Sequence, residues 1–200
     1  MSSDFIVYDC ETKKHFHQVK GGWDNIYDHG MSSCVTFNSK SSHYRFFIDR
    51  EEVCKYLHGK LVVTFNGIMF DSLLLLGNDR ILEKNGITRN DKYWWVNADL
   101  YVEMWRRILD LDKDYPKIIE EIKKQKFSKG IFSLNDIAGA TLGHTKTENG
   151  SHAPDLYQQN RIIELLEYNI NDTAVIRDLY LFVKQNKFMI TGNYDVISFR

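Results

Sequence analysis

Short apolar blocks fill the first hundred positions, and apolar residues at helical spacing fill the second hundred, which predicts a chain that begins rich in strands and ends rich in helices. Phe5 to Tyr8 is the first apolar run. After a glycine-containing polar stretch come Cys34 to Phe37 and Tyr44 to Ile48, separated by the turn-forming Asn38-Ser39-Lys40-Ser41-Ser42. Together they predict three antiparallel strands. Arg50 to Leu57 places Val53, Tyr56 and Leu57 at helical spacing, and Leu61 to Phe65 is a buried-type strand, so strand, helix and strand read as a parallel crossover. Asp71 opens the Leu73 to Leu76 run as an expected N-cap, and Tyr93 to Ala98 is the fifth strand. Helices are predicted over Tyr101 to Asp110, Lys117 to Gln125, Leu134 to Leu142 and Arg161 to Lys187, with Gly143 to Asp155 as a polar loop ending near Pro154. The class is layered α/β, a mixed five-stranded sheet flanked by helices.

Composition narrows this. The 200 residues, 43% apolar and 26% charged, suit one domain with a real core and exclude a disordered or fibrous chain. We expect a single domain over 1–200 with a helical insertion around 99–130. No stretch approaches the roughly 18 uninterrupted apolar residues of a membrane span, and the start lacks a signal-type apolar segment. An odd set of cysteines, Cys10, Cys34 and Cys54, with no CxxC pair, argues against a disulfide scaffold or structural zinc. The expectation is a cytoplasmic, reducing setting. A net charge of −1 argues against a broad basic face gripping long nucleic acid, yet permits a small acidic site that takes its positive charge from metal ions. Residues Lys113 to Lys129 are locally basic, with Trp94, Trp95 and Trp105 nearby. That stretch reads either as a solvated helix face beside core tryptophans or as a guide for a polyanion.

Three short patterns carry chemistry. Asp9 and Glu11 follow the first apolar run, and the strand period of two puts both on one face at the strand's end. Like charges about 7 Å apart beside a buried run repel unless a cation sits between them. Asn66-Gly67-Ile68-Met69-Phe70-Asp71 follows the Leu61 to Phe65 run, its Asn-Gly pair permitting a sharp turn. Tyr168 and Asp172, at i and i+4, share a helix face. Each pattern alone has an ordinary structural explanation: a strand end in solvent, a helix cap, a surface pair.

In this order the motifs resemble the DEDD superfamily of 3′-to-5′ exonucleases on the ribonuclease H-like fold, in its tyrosine branch. The histidine branch places a histidine five residues before the final acid, where this chain has Glu167. Asn66 to Asp71, spelling NxxxFD, is similar to the proofreading domain of family B DNA polymerases and to small stand-alone or helicase-associated relatives. The resemblance spans about residues 4 to 188, with no departure at the five motif positions. It implies two divalent ions, Mg²⁺ or Mn²⁺, held by Asp9, Glu11, Asp71 and Asp172, with Asp9 bridging, Glu11 and Asp172 completing the ion site of the attacking water, and Asp71 supporting the other ion. Hard oxygen donors agree with those metals. Tyr168 is expected to orient the water, since a phenol with a pKa near ~10 is a poor base at neutral pH. Thr12, Asn66 and Phe70 are the expected contacts to the 3′-terminal nucleotide. His15 and His17 read as a solvated hairpin, and Phe16 or Trp23 as a stacking surface. The expected reaction is hydrolysis of single-stranded DNA to mononucleotides. RNA, a short or cyclic oligonucleotide, and a non-catalytic binding module of a helicase or polymerase assembly remain as alternatives.

Overall fold

The computed structural model describes residues 4–125, 131–144 and 152–199. The chain opens with β1 (Ile6–Thr12), β2 (Met31–Asn38) and β3 (His43–Phe47), then α1 (Arg50–Leu57), β4 (Leu61–Thr64) and α2 (Asp71–Leu76). Short strands β5 (Ile81–Leu82) and β6 (Ile87–Arg89) precede β7 (Trp94–Asp99). The helices α3 (Leu100–Ile108), α4 (Tyr115–Lys124), α5 (Leu134–Leu142), α6 (Ala153–Gln158) and α7 (Ile162–Asn186) follow, and β8 (Phe188–Ile190) with β9 (Val196–Ser198) closes the chain as a hairpin. Between β1 and β2 the chain makes two 3₁₀ segments, Phe16–Gln18 and Gly22–His29.

The main sheet has the order β3-β2-β1-β4-β7-β6-β5. The expected antiparallel β1–β2–β3 unit is present, and β1, β4 and β7 run parallel at the centre. Seven strands replace the expected five because β5 and β6 add an antiparallel edge beyond β7. Two- and three-residue strands leave no readable alternation, so their pairing is decided by β7 rather than by their own sequence.

The period of two sorts β1 between layers. Ile6, Tyr8 and Cys10 enter one apolar cluster with Val53 and Leu57 of α1, Leu74 of α2 and Trp95. Val7 faces the other cluster, with Ile176 and Leu179 of α7 and Met104 of α3. Burying such a side chain contributes roughly 1.5–3 kcal/mol, so α7 is pinned across the sheet on Val7's face. Asp9 and Glu11 continue that face. They lie toward the end of β1, which runs on to Thr12. Between Glu11 and Thr12 the register to β2 shifts, with Thr12 still paired to Met31.

One other expectation changes. Residues 145–151 of the expected polar loop lie outside the described residues, while Ala153–Gln158 forms α6, with Pro154 in its first turn. In the basic stretch Lys113, Lys117, Lys123 and Lys124 are exposed while Ile118 and Ile122 pack inward; of the nearby tryptophans Trp95 and Trp105 are buried and Trp94 is exposed, and Lys126 and Lys129 lie outside the described residues. Cys10, Cys34 and Cys54 are buried thiols with no disulfide. Among the described residues no helix is long and apolar enough to cross a membrane.

Candidate metal centre

Because β1 and α7 pack face to face, Asp9 and Glu11 meet Asp172 of α7, and one carboxylate oxygen from each lies within 4.8 Å of the others. Glu11 and Asp172 are buried and Asp9 is partly so. Two metal–oxygen bonds of ~2.1–2.4 Å placed on opposite sides of an ion span roughly that distance. The donors are all hard oxygens. The trio therefore fits a metal ion, and without a cation its negative charges repel.

Tyr168 lies one helical turn before Asp172 and is hydrogen-bonded to it. Burial first, then the charges of Glu11, Asp172 and Asp9, push its pKa well up, so the phenol stays protonated. At this site it is a hydrogen-bond donor and not a base.

Asp71 stands apart from the trio but lines the same cleft. It is the first residue of α2 and not its cap; Phe70 holds the cap position and makes no side-chain capping bond. The carboxylate instead turns inward, where Oδ1 accepts the backbone N–H of Cys10 at 2.8 Å. A bond to β1 between Asp9 and Glu11 outweighs a cap on a six-residue helix. Burial raises the pKa of Asp71 to about 7, partly offset by that bond and helped by the charge of Asp99.

The loop before α2 has an unusual shape. Asn66 takes the left-handed conformation at φ 68°, and the N–H groups of Met69 and Phe70 both donate to its carbonyl. Gly67 presses on β4, since a Cβ there would lie 2.5 Å from the Thr64 side chain. Asp99, fully buried at the end of β7, holds the loop by accepting the N–H groups of Asn66 at 2.9 Å and Ile68 at 2.8 Å. The same carboxylate caps α3 through the N–H groups of Tyr101 and Val102. On the other side the Arg80 guanidinium donates to the carbonyl of Ile68. Asn66 Oδ1 is buried with no hydrogen-bond partner among the described residues, and its side chain lines the cleft.

Aromatic rings form the outer wall of this cleft of about 490 Å³. Phe16 and Trp23 stack with centroids 3.8 Å apart, and Phe70 lies 6.0 Å from Trp23. Trp23 is 64% exposed, an arrangement suited to receiving a flat apolar group. Thr12 also lines the cleft, though its hydroxyl donates to the carbonyl of Lys14 at 3.2 Å and so serves the local backbone. His15 pairs with Asp155 at 2.8 Å and stacks on His17, so neither joins the carboxylate trio.

Two residues escaped the sequence reading. Asp99 bears the same signal as Asp9, an acid ending an apolar strand, joined to a cap signature before a helix. Asn169, fully buried, donates through Nδ2 to Asp9 Oδ2 at 2.7 Å and accepts from Ser33 Oγ at 3.2 Å. Its neighbour Tyr168 was the only pointer to it.

Comparison with known proteins shows the fold alone. No protein-family model matches the sequence, and no curated protein matches it. Among solved structures it is similar to the family B DNA polymerase from the hyperthermophilic archaeon Pyrobaculum calidifontis, at 10% identity and a TM-score of 0.51, over 90% of this chain and 25% of that one. This chain thus spans about a quarter of that polymerase's length. The mixed sheet flanked by helices is compatible with the ribonuclease H-like arrangement.

Proposed function

We propose that the chain is a metal-dependent 3′-to-5′ exonuclease that hydrolyses single-stranded DNA, releasing nucleoside 5′-monophosphates. The observation that carries this reading is the convergence of Asp9 and Glu11 from β1 with Asp172 from α7, in a cleft also lined by Asp71 and Tyr168. Asp9, Glu11 and Asp172 would hold divalent cations, with Asp71, which lines the same cleft, supporting a second ion. Two such ions, Mg²⁺ or Mn²⁺, supply charge neutralisation at the scissile phosphate and stabilise the attacking and leaving oxygens.

The protein's own groups do the rest. Tyr168, held neutral, donates a hydrogen bond that orients the attacking water. Phe70, Phe16 and Trp23 offer faces for the terminal bases; stacking of this kind is worth about 1–3 kcal/mol per base and tolerates any base. Asn66 Oδ1, buried with no hydrogen-bond partner among the described residues, would accept from a hydroxyl of the terminal sugar, and Thr12 lines the same cleft. Water adds across the bond between phosphorus and the preceding 3′ oxygen, which leaves with a proton as the shortened strand's 3′-hydroxyl.

A 5′-labelled oligonucleotide with Mg²⁺ or Mn²⁺ tests this. The expected product is a ladder shortening from the 3′ end, abolished by Asp9→Ala. Parallel DNA, RNA and dinucleotide substrates define the range. No ladder with either metal rejects the proposal.

A further inference from the structure

Where α7 crosses β1 and β2, a polar seam interrupts an otherwise apolar interface. Thr173 Oγ1 donates to the carbonyl of Asn169 at 2.8 Å, within the helix. Asn169, one turn earlier, reaches the sheet. Its Nδ2 donates both to Asp9 Oδ2 at 2.7 Å and to the Asp9 backbone carbonyl at 3.2 Å, while its Oδ1 accepts from Ser33 Oγ at 3.2 Å. The orientation of the amide is fixed by chemistry. Reversed, its oxygen would oppose the Asp9 carboxylate, acceptor against acceptor.

The choice of residue matters as much as the geometry. A lysine here would cancel the charge that attracts a cation, and an aspartate would add a fourth negative group to a crowded trio. An amide grips a carboxylate while leaving the net charge of the site unchanged. Such a bond costs rotational freedom of Asp9 once, at folding, so none has to be lost when an ion arrives.

Resting on the metal-centre reading above, we infer that Asn169 is a positioning residue: its side-chain amide sets the rotation of the Asp9 carboxylate and thereby the affinity of the site for divalent cations, with Ser33 bracing the amide. Thr173 separates this role from mere helix docking, because it takes part in the seam without touching Asp9.

Calorimetric titration of the full chain with Mn²⁺, paired with thermal unfolding in EDTA, tests the assignment. Asn169→Ala is expected to raise the Mn²⁺ Kd at least tenfold, the usual size of a lost ligand-orienting contact, and saturating Mn²⁺ is expected to restore much of the nuclease rate. Ser33→Ala is expected to raise Kd at least threefold. Thr173→Val is expected to lower Tm and leave Kd unchanged. A smaller rise for Asn169→Ala, or an equal rise for Thr173→Val, overturns the inference. If Asn169→Ala does not fold, Ser33→Ala decides by the same threefold criterion. Absence of Mn²⁺ binding by the unsubstituted chain overturns the metal-centre reading itself, and the inference with it.

Discussion

Replacing Asp99 by asparagine changes one atom type at a fully buried position, and its consequence can be worked out with sign and size. Three backbone N–H groups, of Asn66, Tyr101 and Val102, converge on Asp99 Oδ1, while that of Ile68 meets Oδ2. An amide keeps an oxygen for the first three but turns its NH₂ toward the Ile68 N–H, donor against donor, at a cost of about 1–3 kcal/mol. The carboxylate has its own penalty. Burial raises its pKa from the usual 3.8 to about 6, even though four N–H bonds pull it down. The folded chain thus binds this proton more tightly than the unfolded one. The stability from that proton is fully present below about 3.8 and is lost as pH rises through about 6. Between about pH 7.5 and about pH 4.5 the wild type regains about 2 kcal/mol from Asp99, a gain that asparagine lacks. Asp71, also raised, stays in both proteins and largely cancels in the comparison. Urea unfolding in EDTA, followed by tryptophan fluorescence, should therefore show Asp99→Asn costing about 2 kcal/mol more at the acid pH than at the neutral one. A pH difference below about 0.5 kcal/mol, or one of opposite sign, refutes the argument that burial dominates at Asp99.

Three further outcomes are expected. Asp172→Asn removes one of three crowded negative groups, so it should raise metal-free stability by about 1 kcal/mol while abolishing Mn²⁺ binding, read as a Tm gain in EDTA and a flat calorimetric titration. Trp23→Ala should weaken single-stranded oligonucleotide binding by roughly 5- to 150-fold, the equivalent of 1–3 kcal/mol, in fluorescence anisotropy, with only a small loss of Tm. Tyr168→Phe removes a donor and not a base, so turnover should fall at least tenfold while the pH–rate profile keeps its shape and Mn²⁺ affinity stays within twofold.

Much of the layering was legible because it rests on local patterns. The strand period of two beyond the Phe5 to Tyr8 run told the shared face of Asp9 and Glu11, and the i, i+4 spacing of Tyr168 and Asp172 told theirs; packing on Val7 then brought the two faces together. What escaped was set by partners distant in sequence. Ile81–Leu82 and Ile87–Arg89 are strands only because β7 is there to pair with them. Asp71 has the sequence of a helix cap, yet the Cys10 N–H draws it inward. Asn169 has no periodic signature, since its meaning comes from an aspartate on another element. Pro154 opened a helix where it had suggested only the end of a loop.

The contact between Asn169 and Asp9 joins positions 160 residues apart. Closing so long a loop is entropically slow work that local helices and hairpins do not share. The acids on β1 emerge early in synthesis and Asp172 arrives late, so a nascent or truncated chain lacking α7 holds only two of the three clustered carboxylates. On the proposed metal-centre reading, ion capture would certify completed folding and would strengthen the finished state by mass action while offering nothing to its precursors.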